Sequence, residues 1–580
     1  MGSPRNGVKT SKPGSWTCWI RSPWRSDSMS RLDRPRRPDA PILDPLVVGL
    51  MLLAVTLGSP ALAQVSARDT GARGDGATDD TRAIQQAIDL AANKGHAVIF
   101  PPGTYLCGHL ELPSGTTLRL EPGAVLKGTR KRSAYPPREE LPFPNDADHE
   151  TACFKPSLLF AENVERVSIE GPGTILMDFE KRGGPKPVAL RRCRDVRIRD
   201  LTILNAPNYA ISLLGCEEVD ISAVTILNAF ADGIDPDACR NVRITNCRVE
   251  SVDDAIVPKS SFSLGEARPA ENIVVTGCIL STVCNGFKLG TESRGGFRNI
   301  TVSNCVITGF KDRRPAISGI SLETVDGGML QGINISNVSM VNARAPIFIR
   351  LGNRGRDMAE PVPGVLKDVV ISGVTARNAS LAASITGIPG HPARDITLRD
   401  LYFEFSGANP FQPWEAVPEK EDAYPEALMF GGLPAYALYC RHVEGLTLEN
   451  ITVRWREGFW RLTTDVYRDI SWPEEGTLPS HAQPADPGTA CHFESVAGLV
   501  CRDLRISPAP PASEPITRCV NVRSARFDVA PLPPTSPMPF MAVAGADCAD
   551  ILLRGIPESV SAPFWIADPV VPAGAVRTSP

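Results

Sequence analysis

Val242-Arg243-Ile244-Thr245-Asn246-Cys247 and Ile300-Thr301-Val302-Ser303-Asn304-Cys305 are one phrase written twice: alternating β-branched residues, a small polar pair, then an apolar residue. Val196-Arg197-Ile198-Arg199-Asp200-Leu201 and Ile333-Asn334-Ile335-Ser336-Asn337-Val338 repeat it. Followed along the chain, the final slot falls at Pro172, Leu201, Val224, Cys247, Cys278, Cys305, Val338, Val374, Leu401, Ile451, Leu504 and Ile556. Most intervals lie between 23 and 36 residues, and the last three are 50, 53 and 52. A unit of the shorter length has room for two or three strands and their turns, but for no helical connection. Alternation sends one side-chain parity inward and the other to solvent, and so small a unit buries its inward face only by stacking on its neighbours. The prediction is an all-β chain wound as a right-handed parallel β-helix. A β-sandwich would give regular strand spacing without a repeated phrase. Intervals near 50 fit either two coils or one coil with a long insertion.

Repetition changes the meaning of the chain's length. At about 150 residues per domain, 580 residues suggest several domains, whereas a stack makes them one solenoid. Its 48 Gly and 53 Pro are too few for a low-complexity or collagen-like chain. A net charge of −4 gives no basic footprint for nucleic acid, and no nucleic-acid partner is expected. Before the repeats, Asp79-Asp80-Thr81 opens a helix with Asp80 as its cap, Ile84, Ala87, Ile88 and Ala91 recur at helical spacing, and Gly95 ends it. This short helix is expected to cover the open N-terminal end of the stack, where a sheet edge would otherwise be exposed.

Residues 1–63 read as a leader. Arg31, Arg34, Arg36 and Arg37 precede the apolar run from Leu46 to Leu57, and Ala61-Leu62-Ala63 makes a cleavage site after Ala63. The run is shorter than the roughly 20 residues of a membrane span, so a secreted or periplasmic protein with no span after cleavage is expected. Residues 64–470 are assigned to the β-helix domain and 471–580 to a proline-rich loop followed by ragged C-terminal coils. Cys247, Cys278 and Cys305 share the repeat slot and act as small buried hydrophobes, with one or two disulfides expected among the remaining cysteines. Five N-x-S/T sequons, at Asn299, Asn334, Asn337, Asn378 and Asn450, are explained, Asn378 excepted, by asparagines at coil turns. A stack of this length can stand alone, and a monomer is expected.

Acidic residues gather in two neighbouring coils, Ala231-Asp232-Gly233-Ile234-Asp235-Pro236-Asp237 and Ser251-Val252-Asp253-Asp254-Ala255. Equivalent positions on adjacent coils lie about 4.8 Å apart. Carboxylates that close cannot all ionise freely, so one pKa rises while another stays low, which supplies a general acid and a general base. The same residues could instead form a Ca²⁺ site or simple turns, Asp-Gly being a turn dipeptide.

From Asp69 to about Arg350 the sequence resembles glycoside hydrolase family 28, the polygalacturonase family of parallel β-helix pectin hydrolases. Gly71-Ala72-Arg73-Gly74-Asp75-Gly76 and Pro101-Pro102-Gly103-Thr104-Tyr105 are similar to its N-terminal cap. Ala231-Asp232-Gly233-Ile234-Asp235 is similar to its Asn-Thr-Asp-Gly signature, and Asp253-Asp254 to its paired aspartates. The resemblance implies hydrolysis with inversion. Asp253 would protonate the glycosidic oxygen, and Asp232 and Asp254 would orient and deprotonate the attacking water, with no cofactor and no metal. Two departures matter. Cys284-Asn285-Gly286 stands where the family has Gly-His-Gly, and Ser321-Leu322-Glu323 where it has Arg-Ile-Lys, the pair that holds the galacturonate carboxylate. Glu323 would repel that carboxylate. Lys288, Arg350 and Arg354 are the conceivable replacements, because arginine grips a carboxylate bidentately. The positions expected to meet substrate are Asp235, Asn285, Lys288, Glu323, Arg350 and Arg354. The expected substrate is a pectic polysaccharide, including rhamnogalacturonan. A Ca²⁺-dependent pectate lyase and a non-catalytic polysaccharide-binding β-helix are the alternatives.

Overall fold

The computed structural model describes residues 63–310, 315–406, 412–456, 488–507, 514–528, 538–556 and 564–579. The leader as far as residue 62, and the proline-rich stretch as far as residue 487, lie outside the described residues. Three short strands make a coil. Ile211–Leu214, Glu217–Ser222 and Thr225–Ala229 form one, and Ile234–Asp237, Arg240–Thr245 and Arg248–Ser251 the next. They stack in parallel, Ile211 beside Ile234, Val219 beside Val242 and Thr225 beside Arg248, a shift of 23 residues each time. The fold is therefore a parallel β-helix, as the repeated phrase predicts.

Register explains the phrase. Its β-branched positions, such as Val219, Ile221, Val242 and Ile244, are fully buried in a core that runs from Ala67 to Ala575. Burying each is worth about 1.5–3 kcal/mol. The polar pair is a corner, and its second residue adopts the left-handed conformation: φ is 58° at Asp200, 55° at Asn246 and Asn304, and 53° at Asn337. Asn and Asp tolerate that region because their short side chains hydrogen-bond locally. At a second corner the asparagines also tie successive coils, Asn272 Nδ2 donating to Asn241 Oδ1 at 2.9 Å and Asn299 Nδ2 to Asn272 Oδ1 at 3.3 Å. Asn378 belongs to such a ladder, donating to Asn342, whereas Asn334 is an exposed strand residue and no corner.

Three expectations need correction, and the alternatives left open for the long intervals are decided. Thr174 pairs with Thr202, which sets Gly173 rather than Pro172 beside Leu201. Leu401 pairs directly with Ile451, and Ile451 with Leu504, so these two long intervals are single coils with insertions. The last is two coils, since Cys501 pairs with Phe527 and Phe527 with Leu553. The expected disulfides are absent: all fourteen described cysteines are unbridged and buried. The helix spans Thr81–Lys94 and ends at Gly95, φ 67°. Asp80 is its N-cap residue, but its carboxylate accepts from the amides of Arg73 and Gly74 at 2.8 and 2.9 Å instead of from the helix. Beyond the proline-rich stretch, strands from Thr489–Ile506 to Val576–Ser579 continue the same parallel stack. No helix among the described residues is long and apolar enough to cross a membrane.

Candidate active site

The acidic cluster is built by register. Ile234 bridges to Ile256, and Ile256 to Phe287, so Asp232, Asp254 and Asn285 occupy equivalent positions on three successive coils. Asn285 in turn pairs with Ser318. The Asp254 amide donates to Asp232 Oδ1 at 3.2 Å and to Asp253 Oδ1 at 3.1 Å. Asp254 Oδ1 accepts from the amide and the Nδ2 of Asn285 at 3.0 and 2.7 Å, and Ser318 Oγ donates to Asn285 Oδ1 at 2.5 Å. Gly233, read from sequence as half of a turn dipeptide, is a packing residue: a Cβ there would stand 2.3 Å from Val249 Cγ1 and 2.4 Å from the Ala255 carbonyl.

Buried cations hold the carboxylates together. Lys259 Nζ lies 2.9 Å from Asp232 Oδ2 and 2.8 Å from Asp235 Oδ2, beneath the Tyr209 ring at 4.2 Å. Lys288 Nζ lies 3.4 Å from Asp254 Oδ2 and 3.7 Å from Glu323 Oε2. Arg182 Nη1 donates to Asp253 Oδ2 at 2.6 Å from the solvent side. The two outer carboxyls are pushed in opposite directions. Burial, aided by the charges of Asp253 and Asp254, lifts Asp232 well above the usual carboxylate range despite Lys259. Burial also pushes Asp253 upward, but the Arg182 guanidinium outweighs it and holds Asp253 below that range. Burial likewise raises Asp235, against the pull of Lys259.

A cavity of about 620 Å³ opens over this cluster, lined among others by Asp232, Asp253, Asp254, Lys259, Lys288 and Arg182. Its size is that of a small-ligand pocket. Asp253, Asp254 and Cys284 bring one ligand atom each within 4.8 Å of one another. That set fits a metal poorly. Burial pushes the Cys284 thiol far from ionisation, and Ca²⁺ takes six to eight oxygens.

The sequence profile of Glycosyl hydrolases family 28 matches residues 167–418, which include every residue of this cluster. Residues 167–418 belong to family 28. A second profile, rhamnogalacturonase A/epimerase, pectate lyase-like, matches residues 64–134. A probable polygalacturonase of Vitis vinifera is 27% identical over 376 residues, 60% of this chain and 75% of that one. The endo-polygalacturonase of Pectobacterium carotovorum subsp. carotovorum is 24% identical over 300 residues, 46% of this chain and 71% of that one. Among solved structures, an exopolygalacturonase from Thermotoga maritima superimposes with a TM-score of 0.54 at 22% identity, covering 68% of this chain and 92% of its own.

As a family 28 glycoside hydrolase, the chain fills the departed positions in an internally consistent way. Asn285, in place of the histidine, is fully buried and clamps Asp254. Glu323 does not face the cavity, so the repulsion expected of it is removed. It is fully buried, accepts from Ser321 Oγ at 2.6 Å and Thr291 Oγ1 at 3.2 Å, backs Lys288, and burial pushes it up to about 7. Asp235 lies beneath the cavity on Lys259. Of the six positions expected to meet substrate, Lys288 alone lines the cavity wall.

The two arginines offered as replacements are spent elsewhere. Arg350 is buried and donates to the carbonyls of Gly387, Glu419 and Lys420 at 3.0, 2.9 and 2.9 Å. Arg354 forks onto Asp326 at 2.9 and 2.6 Å. Arg350 and Arg441, the latter bonded to the Val417 carbonyl at 2.9 Å, pin down the insertion that follows Leu401. That insertion walls the cavity through Tyr424, whose hydroxyl lies 3.5 Å from Lys288 Nζ. His442 pairs with Glu419 at 3.1 Å, away from the cavity. Sequence reasoning missed Lys259, Tyr209, Arg182 and Tyr424, whereas Arg356, at the end of the basic segment 349–356 offered as a replacement, does line the cavity. Only Lys259 carried a usable signal: it pairs with Asp237, the last residue of the acidic run one coil earlier.

Proposed function

We propose that this family 28 hydrolase cleaves uronate-containing pectic polysaccharide by inversion, with Asp232, Asp253 and Asp254 as its catalytic carboxyls. The observation that carries this reading is the convergence of the three on one cavity wall, the Asp254 amide bonded to both neighbours. Burial pushes the Asp232 carboxyl upward, while the Arg182 guanidinium holds Asp253 down. Carboxyls displaced in opposite directions support a division into acid and base, which two-carboxyl glycoside hydrolysis requires. Substrate contact with Arg182 would then decide when Asp253 takes up the donor role that the family resemblance implies. The polygalacturonases among its relatives support a galacturonan backbone as the substrate class.

Export fits a polymeric substrate of cell walls, and we assign residues 1–63 to a cleaved secretory leader, 64–470 to the catalytic β-helix and 471–580 to the closing coils. The test is to incubate the purified protein with polygalacturonate, methyl-esterified pectin and rhamnogalacturonan and to measure new reducing ends. Release from at least one polymer, lost by about 10²–10⁴-fold in Asp254→Asn, is the expected outcome. Unsaturated, ultraviolet-absorbing products would overturn hydrolysis in favour of elimination.

A further inference from the structure

The family's basic pair is gone, yet the cavity keeps a cation on a different wall. The loop between strands Thr174–Met177 and Lys186–Arg191 carries Lys181 and Arg182 to the cavity mouth. Arg182 bridges two acids there. Its Nε donates to Glu150 Oε1 and Oε2 at 3.1 and 2.9 Å, its Nη2 also reaches Glu150, and its Nη1 donates to Asp253 Oδ2 at 2.6 Å. Glu150 sits on the short turn of helix His149–Ala152, anchored by Asp148, which accepts from the Thr151 amide at 2.7 Å.

Exposure separates Arg182 from the two buried lysines. Its side chain is 44% exposed, whereas Lys259 and Lys288 are 5% and 2% exposed and already matched by carboxylates beneath the wall. A guanidinium has five N–H donors in a flat fork, and Glu150 and Asp253 leave part of that fork turned to the cavity. We infer that Arg182 is the specificity-determining residue that binds the substrate's uronate carboxylate, exchanging Asp253 for the substrate as it does so. The inference rests on the proposed uronate substrate.

Its consequence is a coupling between recognition and chemistry. Asp253 is faced by Arg182, with Glu150 behind it, and by Lys288 and Lys259. On the opposite side are Asp232, Asp254 and the Cys284 thiol. Drawing Arg182 onto a substrate carboxylate leaves Asp253 among like charges, where it takes a proton from solvent and can then donate it to the glycosidic oxygen. A neutral, methyl-esterified unit gives Arg182 no reason to leave Asp253.

The experiment compares wild type, Arg182→Lys and Arg182→Gln on polygalacturonate and on highly methyl-esterified pectin, with kcat and KM separated and pH profiles recorded. The expected result is a loss in kcat/KM of about 10- to 100-fold for Arg182→Gln on polygalacturonate. A much smaller loss is expected on the esterified polymer, partial retention in Arg182→Lys, and an upward shift of the acidic limb of the kcat/KM profile. Equal losses on both polymers with an unmoved profile would overturn it. Should wild type hydrolyse neither polymer, the functional reading fails, and calorimetric binding of trigalacturonate to Asp254→Asn, with and without Arg182→Gln, still decides. Equal affinity in the two overturns the inference, and weaker binding without Arg182 upholds it as a recognition site.

Discussion

Replacing Lys259 by methionine removes the ammonium that Asp232 and Asp235 share at 2.9 and 2.8 Å. All three side chains are at most 5% exposed, so water cannot take the ammonium's place. Removing one partner of a buried pair costs about 3–5 kcal/mol, and here two carboxyls lose the same counter-charge. The cost must depend on pH. Burial already raises both carboxyls in the folded protein, against the pull of Lys259, and removing the lysine raises them further. In the unfolded chain they titrate near the ordinary value of about 3.9. Below that value both are neutral in either state and need no cation. As pH rises toward the elevated folded values, the unfolded chain releases protons that the folded protein retains, and the folded state is penalised. The deficit should therefore be greater at pH 8 than at pH 5.

Hydrogen exchange on strands Ile234–Asp237 and Asn285–Leu289 reads the effect locally, which suits a stack whose coils open in sections. Protection at pH 8 is expected to fall about 10²- to 10⁴-fold. Adding Asp235→Asn to Lys259→Met should recover at least about 1 kcal/mol, since the two residues are in contact. A deficit below about 1 kcal/mol, as for an exposed pair, or one equal at both pH values, would refute the account of Lys259 as a buried counter-charge.

Three further outcomes follow from the geometry. Asn285→Ala should lower kcat by about 10-fold with little change in KM, because the lost Nδ2 bond leaves Asp254 in place but mobile; steady-state kinetics separate the two. Arg350→Ala should free the insertion that carries Tyr424, and chromatography of the products should then show longer oligosaccharides than wild type releases, while Asp254→Asn should not alter product length among residual products. All fourteen described cysteines are buried and unbridged, so a thiol reagent should find almost none in the native protein and fourteen in the unfolded mature chain without reductant.

The fold was legible because the phrase records a repeated physical constraint. A β-branched residue at each inward position and an Asn or Asp at each left-handed corner are needed once per coil, so they recur in the sequence at the coil length. The carboxylates were legible for the same reason: Asp232 and Asp254 are neighbours by register. Side chains that reach the cavity from loops left no such trace. Arg182 meets Asp253 across 71 positions, and nothing local to either residue announces the other. Arg350 misled in the opposite way. Its strand parity points it outward, toward the face that carries the cavity, but the insertion that buries it lies about 70 residues onward. An outward position is a site only if no later segment folds over it.

Coil length varies from 23 to more than 50 residues, yet from Asp200-Leu201 to Asp503-Leu504 one corner keeps its length. The two-residue turn at Asn246-Cys247, Asn304-Cys305 and Asn337-Val338 recurs without insertion, while added chain enters at the two corners flanking the sheet that bears the carboxylates, as in 258–269, 352–364 and 412–434. The constant corner works as a spine, and the other two as free margins. Selection can therefore rewrite the margins, changing which polymer fits and how far it enters, without disturbing the alignment of Asp232 with Asp254. Replacing a lost basic pair from another wall is the kind of change such a division of labour permits.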